Sequence, residues 1–556
     1  MALIENLFFM FGGVAVMMMG MSLMGGGLEK FAGSKMKKLL GKVTSNRFAG
    51  IGVGTAVTSI IQSSTATTVM LVGFVNIGLL NLSQATSIIM GANIGTTVTA
   101  HIVSLSGVGA TIDIGAIAAF IGCVGVLMSM LLKDEKAKNI GTILGGLGIL
   151  FVGLEFISTS AKLIMFKDGV PVDFVNKIFL KDHSPLLLIL IGIIITALVH
   201  SSSTITSLMV VLASIGGLSF GNALFLALGS NIGTCVTAIL SSAGTSVNAK
   251  RTAVVHLGFN TFGCLITMVP IWVFKAEITA LFATLSTDIG QQIAIFHTLF
   301  NVIVTIILVP FTNQIVKLVC LIVKDKEVVD EKYKLHYIDM RMLESAPIAV
   351  SSIKDEIIRM SKVSIENLNL SINMLTDNTV EKQNEIRENE KLINYLNKSI
   401  TAYLTKLMGK NLSIVNDNKV GSYYHVVSDI ERVGDYAENI MEYAERLRKE
   451  DADLSKDAKT ELLSFTDMVN ELYEKTITAF DLRDTSFLDE VDSIEDKIDN
   501  ICRELEDKHI ERLKGGLCSA SIGSIYLQTV SNLERVGDHI TNVAFSIKKY
   551  AKETKN

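Results

Sequence analysis

Gln62-Ser63-Ser64-Thr65-Ala66-Thr67-Thr68 and His200-Ser201-Ser202-Ser203-Thr204 are clusters of hydroxyl and amide groups, each inside a run without Asp, Glu, Lys or Arg, residues 48–112 and 183–249. They stand in register 138 residues apart (Ser63 to Ser201). Asn93-Ile94-Gly95-Thr96 and Asn231-Ile232-Gly233-Thr234 keep the same offset, as do Thr99 and Thr237. One Ser/Thr cluster in an apolar helix commonly bonds back to its own carbonyls or eases helix packing. Two clusters at matching positions of two halves mark a transporter site at the bilayer midplane.

What these groups can bind follows from their atoms. Hydroxyl and amide oxygens, with carbonyls freed where a helix breaks, suit a hard cation such as Na+. Hydroxyl donors and the free N–H groups that begin a half-helix suit an oxyanion. Neither run supplies a cationic side chain for an anion or a carboxylate for a cation. An anion and its cations sharing one site compensate each other. The candidate residues are Gln62, Ser63, Ser64, Thr65, Asn93 and Thr96 from the first copy, and His200, Ser201, Ser202, Ser203, Asn231 and Thr234 from the second.

Membrane helices must position them. The first ~325 residues are apolar and Gly-rich, whereas residues 325–556 are dense in charge, so the net charge of −5 says little about partners. The uncharged stretch Asn6–Leu28 is long enough to cross a bilayer and reads as a retained first helix, since no basic start or cleavage site accompanies it. Further apolar segments fall near 84–105, 110–132, 140–165, 222–243, 251–274 and 289–323. The segments 48–80 and 185–218 are each split by a Ser-rich insert into arms short for a crossing, and read as re-entrant hairpins buried in protein. Seven crossings then put Lys30, Lys35, Lys37, Lys38, Lys42, Arg47, Lys133, Lys136, Lys138, Lys250 and Arg251 on the side of the C-terminal domain, the cytoplasm by the positive-inside rule. The expected location is the cell (inner) membrane. The expected halves, about 5–133 and 140–323, are inverted relative to each other, with Gly20 matching Gly153.

The paired Gln-Ser-Ser and Asn-Ile-Gly-Thr motifs resemble the type II sodium–phosphate cotransporters and their bacterial relatives over residues 5–323. The resemblance implies Na+-coupled movement of inorganic phosphate through the duplicated site. His200 departs from the pattern, which has Gln there. It reads as one neutral hydrogen-bonding group in place of another. His256/Asn260 and His297/Asn301, each pair on one helical face, read first as packing hydrogen bonds, and Glu155 as equally suited to function or to local pairing. Asp113 reads as a helix cap.

After a linker at 326–345, residues 346–556 show apolar positions at intervals of three and four, which predict helices at ~346–376, 380–410, 417–449, 454–482, 485–514 and 519–552. This region is duplicated as well: Asp429-Ile-Glu-Arg-Val-Gly-Asp435 recurs as Asn532-Leu-Glu-Arg-Val-Gly-Asp538. Glu431/Asp435 and Glu534/Asp538 put two carboxylates on one face, and Glu390/Asn394 and Glu495/Asp499 repeat the spacing on the preceding helices. The copies resemble PhoU proteins, built of two three-helix repeats. That resemblance implies a phosphate-linked regulatory domain with metal ions, divalent or ferric, at Glu390, Glu431, Asp435, Glu495, Asp499, Glu534 and Asp538. Acidic stripes salt-bridged to Arg432 and Arg535 are the alternative.

The expected fold is thus all-α: a polytopic membrane domain of inverted repeats plus a helical bundle. The expected partners are inorganic phosphate, Na+, the lipid bilayer and, for the chain itself, further copies, without nucleic acid. No nucleophile–base set, P-loop or dinucleotide fingerprint stands in the sequence, which argues against an enzyme. The competing readings are a membrane-anchored phosphate-status sensor that binds without transporting, and a transporter of a related oxyanion.

Overall fold

The computed structural model describes residues 2–33, 46–107, 114–324, 333–410 and 412–548. Apart from a hairpin of two-residue strands pairing Phe166 with Pro171, the regular structure there is helical. The chain divides into two compact units, Met1–Glu327 with Asp339–Ile348, and Val328–Ile338 with Ala349–Asn556.

The first unit contains α1 (Ala2–Ala32), α2 (Arg47–Ile61), α3 (Ser64–Asn76), α4 (Leu82–Ser104), α5 (Ile114–Leu131), α6 (Glu135–Met165), α7 (Pro185–Val199), α8 (Ser202–Ser214), α9 (Phe220–Gly233), α10 (Cys235–Ser241), α11 (Val247–Val273), α12 (Lys275–Leu285), α13 (Ile289–Leu308) and α14 (Thr312–Ile322). The repeat is preserved in the backbone. Helices α7 and α8 have the lengths of α2 and α3, 15 and 13 residues, and begin 138 positions later. Each pair is broken at the polar insert. The left-handed residue that ends the first arm is Gln62 (φ 58°, ψ 23°) in one copy and His200 (φ 59°, ψ 22°) in the other.

Glycine sets how closely each broken pair lies on the helix that follows. A Cβ on Gly91 of α4 would stand 2.0 Å from Ile51 O of α2, and one on Gly229 of α9 would stand 2.1 Å from Ile189 O of α7. Helix α1 packs as closely on α6, where Gly153 would meet Met17 N at 2.3 Å. The outer surface carries exposed Phe8, Phe11, Phe120, Met130, Leu198 and Ile306, the apolar belt that a lipid solvent requires.

Among the described residues, five helical stretches are long and apolar enough to cross a membrane, Leu3–Ala32, Glu135–Met165, Phe220–Ser241, Val247–Val273 and Ile289–Ile322, or up to six if the bent pair Asp173–Leu180 and Pro185–Val199 is one span. The expected crossings at 84–105 and 110–132 are helical over 84–104 and 114–131 but fall outside that set, and 110–113 lie outside the described residues. Helix α4 is diluted by Gln84, Thr86, Ser87, Asn93, Thr96, Thr97 and Thr99, and the apolar run of α5 covers only Gly115–Leu131. The basic residues Lys35, Lys37, Lys38 and Lys42 and the expected cap Asp113 lie outside the described residues.

The second unit is built on α15 (Ala346–Thr376), α16 (Gln383–Met408), α17 (Ile414–Lys449), α18 (Lys456–Leu482), α19 (Leu488–Lys514) and α20 (Ala520–Phe545), within a few residues of the bounds expected from periodicity, the expected end of the last at 549–552 lying outside the described residues. Tyr403, Tyr423, Tyr526, Phe465 and Phe480 are buried in its core, each contributing roughly 1.5–3 kcal/mol through removal from water. One expectation needs correction. Residues 339–345, assigned to a linker, are instead packed with the first unit: Asp339 accepts from Asn76 Nδ2 of α3 at 2.8 Å, and Met342 is fully buried. Their charged composition hid this, because the partners are main-chain carbonyls and an amide far away in sequence.

Candidate functional site

The two breaks meet. Thr65 Oγ1, in the first turn of α3, donates to the main-chain carbonyl of His200 at 3.3 Å. Around this contact the halves repeat the same construction. Ser63 caps α3 by accepting from Ala66 N at 3.1 Å, and Ser201 caps α8 by accepting from Thr204 N at 3.2 Å. With N-caps committed in this way, the first N–H groups of α3 and α8 are left for a ligand, and both helix dipoles present their positive ends there. The ends of α2 and α7 bring the complementary carbonyls. Each break thus offers anion donors beside cation acceptors.

Side chains from the following helix hold each tip. Thr99 Oγ1 donates to Gln62 Oε1 at 2.8 Å, and Thr237 Oγ1 lies 3.0 Å from His200 Nδ1. His200 therefore takes over the contact that an amide makes in the other half. Thr58 and Thr67 hydroxyls meet at 3.2 Å under the first tip, and Thr196 donates to Ser230 at 2.8 Å under the second. Ser64, Ser202 and Ser203 are buried at the helix starts.

The Asn-Ile-Gly-Thr segments differ from the expectation. Thr96 and Thr234 turn back to their own helices, donating to Ala92 O at 2.9 Å and Asn231 O at 2.6 Å. Thr99 and Thr237, one turn further on, are the residues that reach the tips. Asn93 is buried and its Nδ2 has no hydrogen-bond partner. Asn231, its counterpart, donates to Asn301 Oδ1 at 3.1 Å and lies 3.2 Å from His297 Nε2. The His297/Asn301 pair of α13 therefore supports the second copy directly. Asn260 of α11 instead donates to His256 O and Cys235 Sγ, both at 3.2 Å. Glu155 accepts from Thr159 at 2.9 Å and, with Ser158 and Lys162, lines a polar cavity of about 210 Å³.

In the bundle the two acidic copies are not equal. Glu495, Asp499 and Asp538 bring one carboxylate oxygen each to within 4.8 Å of one another, the only such group among the described residues. Glu534 is not part of it. Burial and then the neighbouring acids hold Glu495, Asp538 and Glu534 above the usual carboxylate range, as expected of crowded, partly buried acids, although Arg503 lies 3.6 Å from Asp499. In the first copy Glu390, Glu431 and Asp435 do not converge to that distance. Asp435 is paired with Arg432 at 3.2 Å, and Glu390 accepts from Asn394 at 2.8 Å. Burial, then the charges of Glu438, Asp435 and Glu431, push Glu390 up to about 7. Glu438 belongs to this cluster and was not anticipated.

Residues 16–159 and 176–306 match the Na+/Pi-cotransporter family model, each segment spanning one broken helix pair with its Asn-Ile-Gly-Thr helix. YqeW of Bacillus subtilis, an uncharacterised protein, is 30% identical over 308 residues, 55% of this chain and 95% of its own. The chain belongs to the Na+/Pi-cotransporter family. It is also 23% identical over 536 residues, 96% of both chains, to YjbB of Escherichia coli K12, which is named for inorganic phosphate export. Over 71 residues it is 48% identical to the rat sodium-dependent phosphate transport protein 2A, 13% of this chain and 11% of that one. Within this cotransporter-family chain, residues 357–444 and 462–547 match the PhoU domain, one match for each acidic copy. PhoU from Pseudomonas aeruginosa aligns with a TM-score of 0.35 at 18% identity, over 37% of this chain and 97% of that structure.

Proposed function

We propose that this protein is a sodium-coupled secondary transporter of inorganic phosphate, not an enzyme, and that its PhoU-like bundle regulates transport. The observation that supports this most is the contact between the two broken helix pairs at Thr65 and His200. It joins two helix starts and two helix ends at one uncharged place, where phosphate and Na+ can satisfy each other's charge. Gln62, Ser63, Ser64, Thr65 and Asn93, with His200, Ser201, Ser202, Ser203 and Asn231, form the site; Thr99 and Thr237 hold its tips. The broken pairs are re-entrant, the halves are inverted, and the bundle lies in the cytoplasm of a cell with this protein in its inner membrane.

The test is flux of isotope-labelled phosphate in proteoliposomes with and without a Na+ gradient. Sodium-dependent accumulation is expected. Phosphate binding with no flux in either direction would establish a sensor instead, and flux indifferent to Na+ would remove the coupling. The full-length similarity to a protein named for phosphate export favours a second reading on direction, in which cellular flux is outward. Release from preloaded vesicles under reversed gradients addresses it.

In the bundle, Glu495, Asp499 and Asp538 fit a cation, because three crowded acids gain from a shared counter-charge. A metal there would fix α19 against α20 and so set the stiffness of the regulatory unit. Metal content of purified protein, with and without Asp538→Asn, tests this.

A further inference from the structure

The segment that leads from the bundle into the membrane unit makes a cross-tie between the two repeats. Asp339 is 8% exposed, and its carboxylate accepts from Asn76 Nδ2 at 2.8 Å and from Arg341 at 3.0 Å. Arg341 in turn donates through Nε to Ser241 O at 2.6 Å and through its other nitrogen to Ala243 O at 3.3 Å. Asn76 is the last residue of α3, the helix that begins at the Ser63–Ser64 tip, and its Oδ1 accepts from Ser246 N at 2.8 Å. Ser241, Ala243 and Ser246 form the turn between α10 and α11 in the second repeat. Gly73 makes room for the segment: a Cβ there would lie 3.1 Å from Arg341 Cβ and 3.2 Å from Asp339 Oδ1. The fully buried Met342 anchors it among apolar residues of the membrane unit.

The matching end of the second hairpin is fastened differently. Ser214, which stands where Asn76 does, donates to Asp288, the residue that caps α13. So one end is held within the membrane repeats alone, and the other both by Ser246 of the second repeat and by the segment that continues into the regulatory unit. Immediately before Asp339 the chain is gripped within that second unit, where the buried Glu356 accepts from His336 N at 2.9 Å and Tyr337 N at 2.6 Å.

We propose that Asp339–Glu344 is a latch that keeps α3 tied to the α10–α11 turn, and that the bundle controls transport by loading or releasing it. This rests on the transport reading above. Substrate passing between the tips requires the repeats to part at one end, and the latch bonds lie across that parting. A charged pair at this depth holds firmly while intact and fails as a unit once either partner leaves. Asp339 and Arg341 are positioning residues, without contact to the transported ions.

The test uses the full-length chain with its six cysteines replaced and Met342→Cys added. Labelling of position 342 by a soluble maleimide should be slow in this parent and about tenfold faster with Asp339→Asn and Arg341→Gln, as expected when a shielded state loses its tie. Asn76→Ala, which cuts the same tie from the helix side, should also speed labelling, and serves if the double variant does not insert. Equal labelling rates in parent and variants would overturn the latch. Without the cysteine at 342, the released variants should show phosphate flux raised about threefold, with half-saturating phosphate within about twofold; unchanged or reduced flux would overturn its gating role. Absence of flux in the unaltered chain would strike the transport reading alone, because labelling judges the latch independently.

Discussion

The hydroxyl of Thr65 and the carbonyl of His200 are joined across 135 residues of sequence, which makes the tip of each broken helix pair part of the other's surroundings.

Replacing Ser63 and Ser64, or Ser201 and Ser202, by Ala should abolish Na+-dependent phosphate uptake. Each pair includes the N-cap of α3 or α8, whose loss costs about 1 kcal/mol of helix stability, too little to unfold a helix buried on several sides. Uptake in proteoliposomes, beside a gel-filtration profile of each variant in detergent, separates loss of site from loss of fold. Normal transport by both doubles would sink the assignment.

His200→Gln should keep uptake within about threefold of the parent, because Gln offers Thr237 the acceptor that Gln62 already offers Thr99. His200→Ala and Thr237→Val should each reduce uptake about tenfold, the equivalent of one hydrogen bond of about 1.4 kcal/mol. If Thr237→Val transports normally, the contact is ornamental.

Gly91→Ala and Gly229→Ala should give poorly folded protein, since the added methyl would overlap a carbonyl oxygen at 2.0 and 2.1 Å. Overpacking of this kind costs about 1–3 kcal/mol or more when only backbone can yield. Gly52→Ala, with nothing within 4 Å, is the matched control and should behave as the parent. Thermal-shift midpoints in detergent read the difference.

Bundle stability should fall as pH rises through neutrality. Burial and neighbouring acids push Glu390 up to about 7 from an ordinary 4.5. Its folded form holds the proton more tightly, so its contribution is full below about 4.5 and is lost as pH rises through 7. Glu390→Gln should therefore match the parent at pH 4.5 and melt about 3 °C higher at pH 8, measured with a chelator present. A parent that melts alike with the variant at pH 8 would refute it.

Cysteines placed at Lys136 and at Lys177, an exposed neighbour of the buried Val175, in a cysteine-free chain should label from opposite faces of the membrane, with 136 on the face of the bundle. Labelling of both from one face would remove the inverted arrangement of the repeats.

Much of this was legible in the sequence because a duplication displays its own spacing. Both breaks and the six bundle helices follow from motifs and periodicity read along the chain. The contacts that complete the site do not. Asn301 and His297 reach Asn231 from 70 and 66 residues away, and nothing in their own helix distinguishes a side chain that supports another from one that packs. Thr99 and Thr237 were visible as a matched pair, yet which of two threonines one turn apart meets a tip depends on helix rotation. Residues 339–345 were misread because polarity along a segment gives no sign of what its polar groups face.

The two tips share one backbone to within a degree at their left-handed residues and differ there in a single side chain, an amide at 62 and an imidazole at 200. Nature has in effect placed a reporter on one arm of a matched balance. A nitrogen resonance assigned to His200 among the chain's nine histidines reads the second arm while the first stays silent, and exchanging the two side chains moves the reporter across without altering the frame. Whether the arms tip together or in turn can thus be asked of a single polypeptide, each half serving as the reference for its twin.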